Sequence, residues 1–473
     1  MKSAFSTTLI MLIFALAASG AAAYYYPWPE VEVINAKINQ PLFEEYDLDQ
    51  VRSMQVRQFN GDRNELETIR LRRKADKWIF ENKDNFVATN AALISLVRSS
   101  LNDRKVREFM SDQEEDHIKY GVVDPVNHET SVLSSLGSKL VLEDRQGQVI
   151  ASLIVGKAVK SESGEVQQRF VRVPEQPNVY VVDFDKRLLV TDFSPWNDPN
   201  LLKLQSQTNP LGESPVDVMI DGYRIDPEKL AEPDSKESFY QARFNLKGNQ
   251  LGFDSLKVSN KETGAWEDLK PNDEQMQAMA QWTRAIGLIR ISDVRRKSKS
   301  LISALRNPKA DTSEEVLKSL EAFGFKKTGF ANRAFEFDAT GGKFVVVVKN
   351  GVRYNLHIGT FDTSANNSGS GNLARYLMIT VDVDAAQFPE IEVPEDPQDR
   401  AYLRAVEQRK KGLTQARQVA NDLNRQHADW FYVVDEEILS ALVPTLNIDL
   451  PAKTDAAEGD ETSAADGEDK GQG

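Results

Sequence analysis

The order strand, helix, glycine turn, hairpin, hairpin occurs twice in this chain. Each occurrence closes on the same tetrapeptide, "YVVD", at Tyr180–Asp183 and Tyr432–Asp435. The first opens with "VRSMQVRQF" and "ETIRLRRKADKWIFE", both with the period-two alternation of half-buried strands, and Trp78 closes the second of them. "TNAALISLVRSSL" follows as a helix with Ala92, Leu93, Leu96 and Val97 on one face. "YGVVDP" around Gly121 leads to a hairpin turning at Gln146-Gly147, then to a second hairpin, "QQRFVRVPEQPNVYVVD".

The second occurrence keeps this order. "DSLKVSNKETGAWEDL" sets Trp266 where the first has Trp78, and "NDEQMQAMAQWTRAIGLI" is the helix, with Met276, Met279, Ala280 and Thr283 along one side. "EAFGF" sets Gly324 against Gly121, and "GKFVVVVKNGVRYNLHIGT" is a hairpin turning at Asn350-Gly351. Gly324 lies 203 residues after Gly121, and Gly359 lies 203 after Gly156. The two tetrapeptides stand 252 apart because helix-rich sequence, about residues 395–427, interrupts the last hairpin of the second unit. This predicts an α+β protein of two tandem copies of a mainly antiparallel sheet with a packed helix, at about 48–205 and 212–447. The second copy carries a helical insertion. Each copy reads as β-β-α-β-β-β-β, with Trp78 equivalent to Trp266, Gly156 to Gly359 and Tyr180 to Tyr432. Within the insertion, Leu403, Val406, Leu413, Ala416, Val419 and Leu423 form a narrow stripe suited to packing on a sheet.

The ends differ in character from the middle. Residues 1–26 place Lys2 before an apolar core, and Ala21 and Ala23 fit a signal peptidase site. The apolar run is also just long enough to span a bilayer, with Tyr24, Tyr25, Tyr26 and Trp28 as an interfacial belt. A signal peptide or membrane anchor is expected, then a linker over 27–47, with the bulk exported. It would sit in the periplasm, tethered to the inner membrane or soluble there if the segment is cleaved. Residues 451–473 are acidic and poor in apolar side chains, which predicts a disordered tail.

Composition narrows the function. The net charge of −14 gives no electrostatic help toward phosphate backbones, so no nucleic-acid partner is expected. With no cysteine, thiolate metal sites and cysteine nucleophiles are excluded. His117, His128, His357 and His427 show no metal-ligand spacing. "VGK" at Val155–Lys157 lacks the remainder of a phosphate loop and reads as a strand-end turn. The glycine-rich stretch at 363–375 reads as a mobile hairpin connection rather than an anion cradle. Asp183, Asp185, Asp435 and Glu436 follow the tetrapeptides and read as solvated acids at strand ends rather than a general acid–base pair. Arg295, Arg296, Lys297 and Lys299 form the notable basic cluster, read as capping or solvating the end of the second unit's helix, or else as a docking patch for acidic headgroups or a partner. No catalytic, cofactor-binding or metal-ligating residue is therefore assigned, and no cofactor is expected.

The elements Lys77-Trp78, Leu93–Leu96, Tyr120-Gly121, Ile154–Gly156, Arg169-Phe170 and Val179–Val182, followed by "SPWNDPNLL", resemble the bacterial family described as domain of unknown function 4340. The resemblance covers about 50–205, with a degenerate second copy over about 212–447 that lacks a counterpart of "SPWNDP". It implies an exported or membrane-anchored protein encoded beside gliding-type ABC-transporter components, and it brings no catalytic residues. The leading expectation is a noncatalytic accessory protein assisting an ABC-type transport or envelope assembly. An extracytoplasmic glycan- or peptide-binding module is the alternative, and an envelope hydrolase comes third.

Overall fold

Residues 53–60, where apolar and polar side chains alternate, form the central strand β1 (Ser53–Asn60), whose first four residues are buried. Its neighbours follow from the same alternation. β2 (Glu65–Lys74), β3 (Lys77–Phe80) and β4 (Phe86–Ala88) meander outward on one side. After α1 (Ala91–Ser99), β5 (Val106–Ser111) and α2 (Asp116–Tyr120), the strands β6 (Ser138–Glu143), β7 (Val149–Ala158), β8 (Gln168–Arg172) and β9 (Val179–Asp183) fill the other side. The resulting nine-stranded sheet has the order β4-β3-β2-β1-β6-β7-β8-β9-β5, and all its strand pairs are antiparallel. The computed structural model describes residues 38–448, apart from 127–131, 160–167, 199–200, 203, 205–211, 231–235, 248–249, 261–264, 307–312, 332–333, 364–372 and 397. The proposed leader or anchor (1–26), the first part of the linker, His128, most of the glycine-rich stretch and the acidic tail (451–473) lie outside the described residues.

A second nine-stranded sheet follows. It is built from β10 (Pro215–Ile225), β11 (Lys236–Lys247), β12 (Gln250–Ser259), β13 (Trp266–Asp268), β14 (Ile291–Arg296), β17 (Lys343–Val348), β18 (Val352–Phe361), β19 (Ala374–Val383) and β20 (Trp430–Asp435). Its order is β13-β12-β11-β10-β17-β18-β19-β20-β14, the order of the first sheet strand for strand. The helices α3 (Asp273–Ala280) and α4 (Trp282–Ala285) precede β14. After β14 come α5 (Lys299–Arg306), α6 (Glu314–Glu321) and a separate hairpin of β15 (Phe325–Ala331) and β16 (Ala334–Ala339). α7 (Arg400–His427) joins β19 to β20, where the first sheet has only a short loop, and α8 (Glu436–Leu442) follows β20.

The registers agree as well as the order. Tyr180 pairs with Phe109 and Val171, and Tyr432 pairs with Val294 and Leu377, each tyrosine lying on the strand next to the last. Arg169 faces Val182, and Arg375 faces Val434. The β7–β8 ladder shifts register between Val155 and Ala158, and the β18–β19 ladder shifts between Ile358 and Phe361. Gly156 and Gly359 lie within these bulges. Each lets a turn approach too closely for a side chain: a Cβ on Gly156 would stand 2.5 Å from the Tyr120 carbonyl oxygen, and one on Gly359 would stand 2.3 Å from that of Phe323. Gly121 and Gly324, which end those turns, have φ of 71° and 82°, the left-handed region glycine enters without strain.

Several expectations need correction. Each sheet holds nine strands rather than six, because "ETIRLRRKADKWIFE" breaks at Ala75, where φ is positive, into β2 and β3, and short β4 and β5 carry too few residues to show alternation. Trp78 and Trp266 do not correspond. Trp78 is buried on β3 beneath the Arg98 guanidinium, 5.6 Å from the ring centre, whereas Trp266 is 41% exposed on the outermost strand β13. On α1 the buried face is Ile94 and Val97, continuing to Leu101, while Leu96 is exposed; the Asn90 side chain, which accepts from Leu93 N, caps the helix. On α3 and α4 the buried apolar side chains are Met279, Trp282 and Ala285, with Gln275 buried beside them, and Ala280 and Thr283 are exposed. The linker's last residues are not free: Ile38 and Pro41 bridge to the β5 edge at Val106 and Lys105, and Tyr46 donates its hydroxyl to the Arg98 carbonyl.

One apolar cluster runs through both sheets. Where they meet, Trp430 packs edge-on against Phe86 at 4.9 Å, Lys83 pairs with Asp293 at 2.9 Å, and Arg296 reaches the Asp84 carbonyl. Burial pushes the Asp293 carboxyl up, but Arg295 and Lys83 outweigh it and hold the group below its usual range. Trp430→Ala should remove about 3 kcal/mol, as large-to-small aromatic changes do. It should also split urea unfolding, followed by circular dichroism, into two transitions. A single transition at the wild-type midpoint would show that this contact does not couple the sheets.

Candidate functional site

The histidines are dispersed. His117, at the surface on α2, bonds through Nε2 to the Pro177 carbonyl oxygen at 2.8 Å. His357 is buried on β18 against Thr380 Oγ1; burial, then Lys343, holds it well below its ordinary value. His427 ends α7 with Nδ1 2.7 Å from the Tyr432 hydroxyl, and burial, then Lys297, pulls it down to about 3. Among the described residues no group of three or more His, Asp or Glu side chains could hold a metal.

"VGK" is not a turn but the end of β7. Lys157 donates to the Lys119 carbonyl at 3.0 Å, closing the C-terminus of α2. The acids are not simply solvated. Asp183 takes a forked bond from Arg107, Asp185 caps the turn at Lys186–Leu188 and pairs with Arg187, and Glu436 lies 3.5 Å from Arg375. Burial, then Glu437, raises Asp435. Asp183, Asp185 and Glu436 serve separate ion pairs or caps, and Asp435 stands at the start of α8 without a capping bond from its side chain.

The basic cluster is part of a strand and its exit, not a helix cap. Arg295 pairs with Asp293 and Asp362, and Arg296 stacks 5.7 Å from the Trp430 ring. For Lys297 the expectation of a capping or solvated side chain fails: it directly follows β14 and is turned inward, with only 3% of it exposed. Its Nζ donates to the Trp430 carbonyl at 2.7 Å and the His427 carbonyl at 3.3 Å, and lies 4.8 Å over the Phe431 ring. Burial pulls this amine down to about 7. "VRRKSKS" offered no signal for it, since a strand ending in four polar residues looks solvated.

The stripe on α7 is also revised. The buried residues are Ala416, Ala420 and His427, at helical spacing, while Leu403, Val406 and Val419 are exposed. Small residues face the sheet because the helix lies close over β19. Asn424 exchanges hydrogen bonds with both backbone groups of Val381, beyond the stretch of β19 that pairs with β20.

A cavity of about 570 Å³ opens at the end of the first sheet. Gln58 and Asn60 come from β1, Glu67 from β2, Arg169 from β8, and Lys186, Arg187 and Thr191 from the segment after β9. Among the described residues its lining carries no aromatic side chain. Glu67 accepts from Thr191 Oγ1 at 2.6 Å, from Asn60 Nδ2 at 2.6 Å, and pairs with Arg63 at 3.3 Å. Arg169 Nη1 donates to the Gly156 carbonyl at 3.3 Å, and its buried Nε has no hydrogen-bond partner. Burial, then Arg169, lowers the Lys186 amine.

These features define a mainly antiparallel α+β protein of two large sheets, with a charged surface cavity among the described residues. Residues 78–209, from β3 to beyond β9, match the family model described as domain of unknown function (DUF4340), the family the sequence resembles. β1, β2 and the whole second sheet lie outside that match. No curated protein and no solved structure matches the chain. Among the described residues no helix is long and apolar enough to cross a membrane.

Proposed function

We propose that this chain is a noncatalytic, membrane-anchored extracytoplasmic accessory protein that assists an ABC-type transport or envelope assembly. In this reading it is built from two copies of one sheet unit, the second carrying α7 as an insertion. The observation that carries the reading is what the repeated side chains do. Arg169 and Arg375 each bond to the carbonyl of the bulge glycine, Gly156 and Gly359, and Tyr180 and Tyr432 are each buried between equivalent strands. Residues kept in register across both units thus hold up the unit itself, and none is arranged to act on a substrate. His117, His357, His427, Asp183, Asp185 and Glu436 are spent on separate local bonds, which favours partner surfaces over chemistry. The N-terminal apolar segment supports export, and an envelope setting is what the sequence resemblance to the family implies. The cavity lacks the aromatic walls of a glycan site, so the glycan-binding alternative gains nothing from it.

Alkaline phosphatase joined after Asn60 should be active in intact bacteria, and an inactive fusion beside an active cytoplasmic reporter would overturn export. Deleting the gene should impair a membrane complex that copurifies with the full chain. Asp183→Ala, Asp435→Ala and His117→Ala should each restore that complex when they fold. A well-folded variant of this set that fails to restore it would bring the hydrolase reading forward.

A further inference from the structure

The charged cavity holds an imbalance that its own residues do not resolve. Arg63, Arg169, Lys186 and Arg187 face it, against Glu67 and Asp192. Arg63 is committed to Glu65 and Glu67, and Arg187 to Asp185. Arg169 and Lys186 remain, two neighbouring cations with no ion pair of their own among the described residues, although the Asp185 carboxylate lies near enough to Arg169 to be lowered by it. Like charges brought together in partial burial are an electrostatic cost that a fold does not need for its own sake.

The second sheet contains the resolved version of the same corner. Arg375 stands at the register position of Arg169 and donates Nε to the Gly359 carbonyl at 2.8 Å. Its Nη1 lies 3.5 Å from the carboxylate of Glu436, the residue directly after the tetrapeptide. In the first sheet the residue directly after the tetrapeptide is Phe184, buried and packed under Arg104. The carboxylate that neutralises the arginine in one sheet has thus been exchanged for a hydrocarbon in the other. The freed arginine borders an open cavity, with a second cation beside it.

We propose that this cavity binds a small carboxylate-bearing ligand, its carboxylate seated between Arg169 and Lys186 where Glu436 would stand in the second sheet. Arg169 supplies one guanidinium charge at the cavity wall, its buried Nε staying closed to the ligand, and Lys186 supplies the second charge. Gln58, Asn60 and Thr191 supply amide and hydroxyl groups for the rest of the molecule. The cavity volume lies within the usual range for small-molecule sites. The inference stands apart from the accessory role, since a noncatalytic subunit and an enzyme could equally carry such a site.

The test uses the purified full chain in a buffer free of carboxylates and phosphate, with glutarate as probe, followed by calorimetric titration and thermal unfolding. Glutarate should bind and raise Tm, and added sodium chloride should weaken it by screening. Arg169→Gln and Lys186→Gln should each weaken binding by about tenfold or more, the scale of losing one charge-assisted contact. Lys299→Gln, an exposed lysine elsewhere, should bind like wild type. Should Arg169→Gln fail to fold because its bond to Gly156 is lost, Lys186→Gln, at the cavity rim, carries the test alone. Absence of glutarate binding to the wild type, unchanged binding in Lys186→Gln, or binding of inorganic phosphate with glutarate silent would each overturn the proposal.

Discussion

Gly359→Ala should destabilise the protein by about 3 kcal/mol, with Gly156→Ala close behind, the scale of forced overpacking in a tight interior. The added methyl would lie 2.3 Å from the Phe323 carbonyl oxygen in the first case, and in the second 2.5 Å from that of Tyr120 and 2.8 Å from that of Gly121. These obstacles are backbone atoms, so no side chain can swing aside. The turns they belong to are fixed by Gly121 and Gly324 in left-handed conformations, and moving them would break the bulge and the arginine bond to the glycine carbonyl. Gly61→Ala is the control, because its new methyl would meet only a Leu133 methyl at 3.7 Å and its backbone is not left-handed. That substitution should leave stability unchanged or slightly raised through the unfolded chain. Urea midpoints for the three variants decide the matter. Equal midpoints would mean that the close approach is not rigid.

Stability should rise with pH across a wide range, and Lys297 should account for the upper part of the rise. Its amine falls from an ordinary 10.5 to about 7 in the folded protein, so between those values the unfolded chain binds a proton that the folded chain does not. Raising pH through that window therefore favours the fold, with a limiting slope on the order of 1.4 kcal/mol per pH unit for one group. His427, pulled from 6.5 to about 3, acts with the same sign lower down: its contribution is present above 6.5 and is lost as pH falls toward 3. Lys297→Met should flatten the profile between about pH 7.5 and 9.5, leaving the smaller slopes from Lys343 and Lys186, which burial also lowers. Urea unfolding across that range is the measurement. An undiminished slope in the Met variant would place the titrating group elsewhere.

Much of the sheet core was legible because strands and bulges obey local rules. Period-two alternation located β1 and β2, the hairpin turn at Gln146-Gly147 located β6 and β7, and the pairs Gly121 with Gly324 and Gly156 with Gly359 could be aligned by spacing, Tyr180 with Tyr432 by the shared tetrapeptide. The matching of Trp78 with Trp266 failed for a physical reason. A tryptophan at the end of a short strand says nothing about how many strands lie outside it, and only pairing placed Trp266 on the rim. The helix faces went astray likewise, since "AALISLV" and "LTQARQVANDL" carry enough apolar residues for more than one stripe, and the distance to the sheet selected among them.

The sequence by itself determined the antiparallel α+β character, the twofold recurrence of strand, helix, glycine turn and hairpins, the place of α7 between the last two strands of the second sheet, and the absence of thiol chemistry. These depend on side-chain alternation, backbone freedom at glycine and residue identity, all of which are local. Tertiary structure alone decided the nine-strand order, the burial of Lys297, the junction of Phe86 with Trp430, and the corner where Phe184 replaces the carboxylate that Glu436 lends to Arg375. Each of these brings together residues far apart in the chain, and burial and charge balance exist only once those distances have closed.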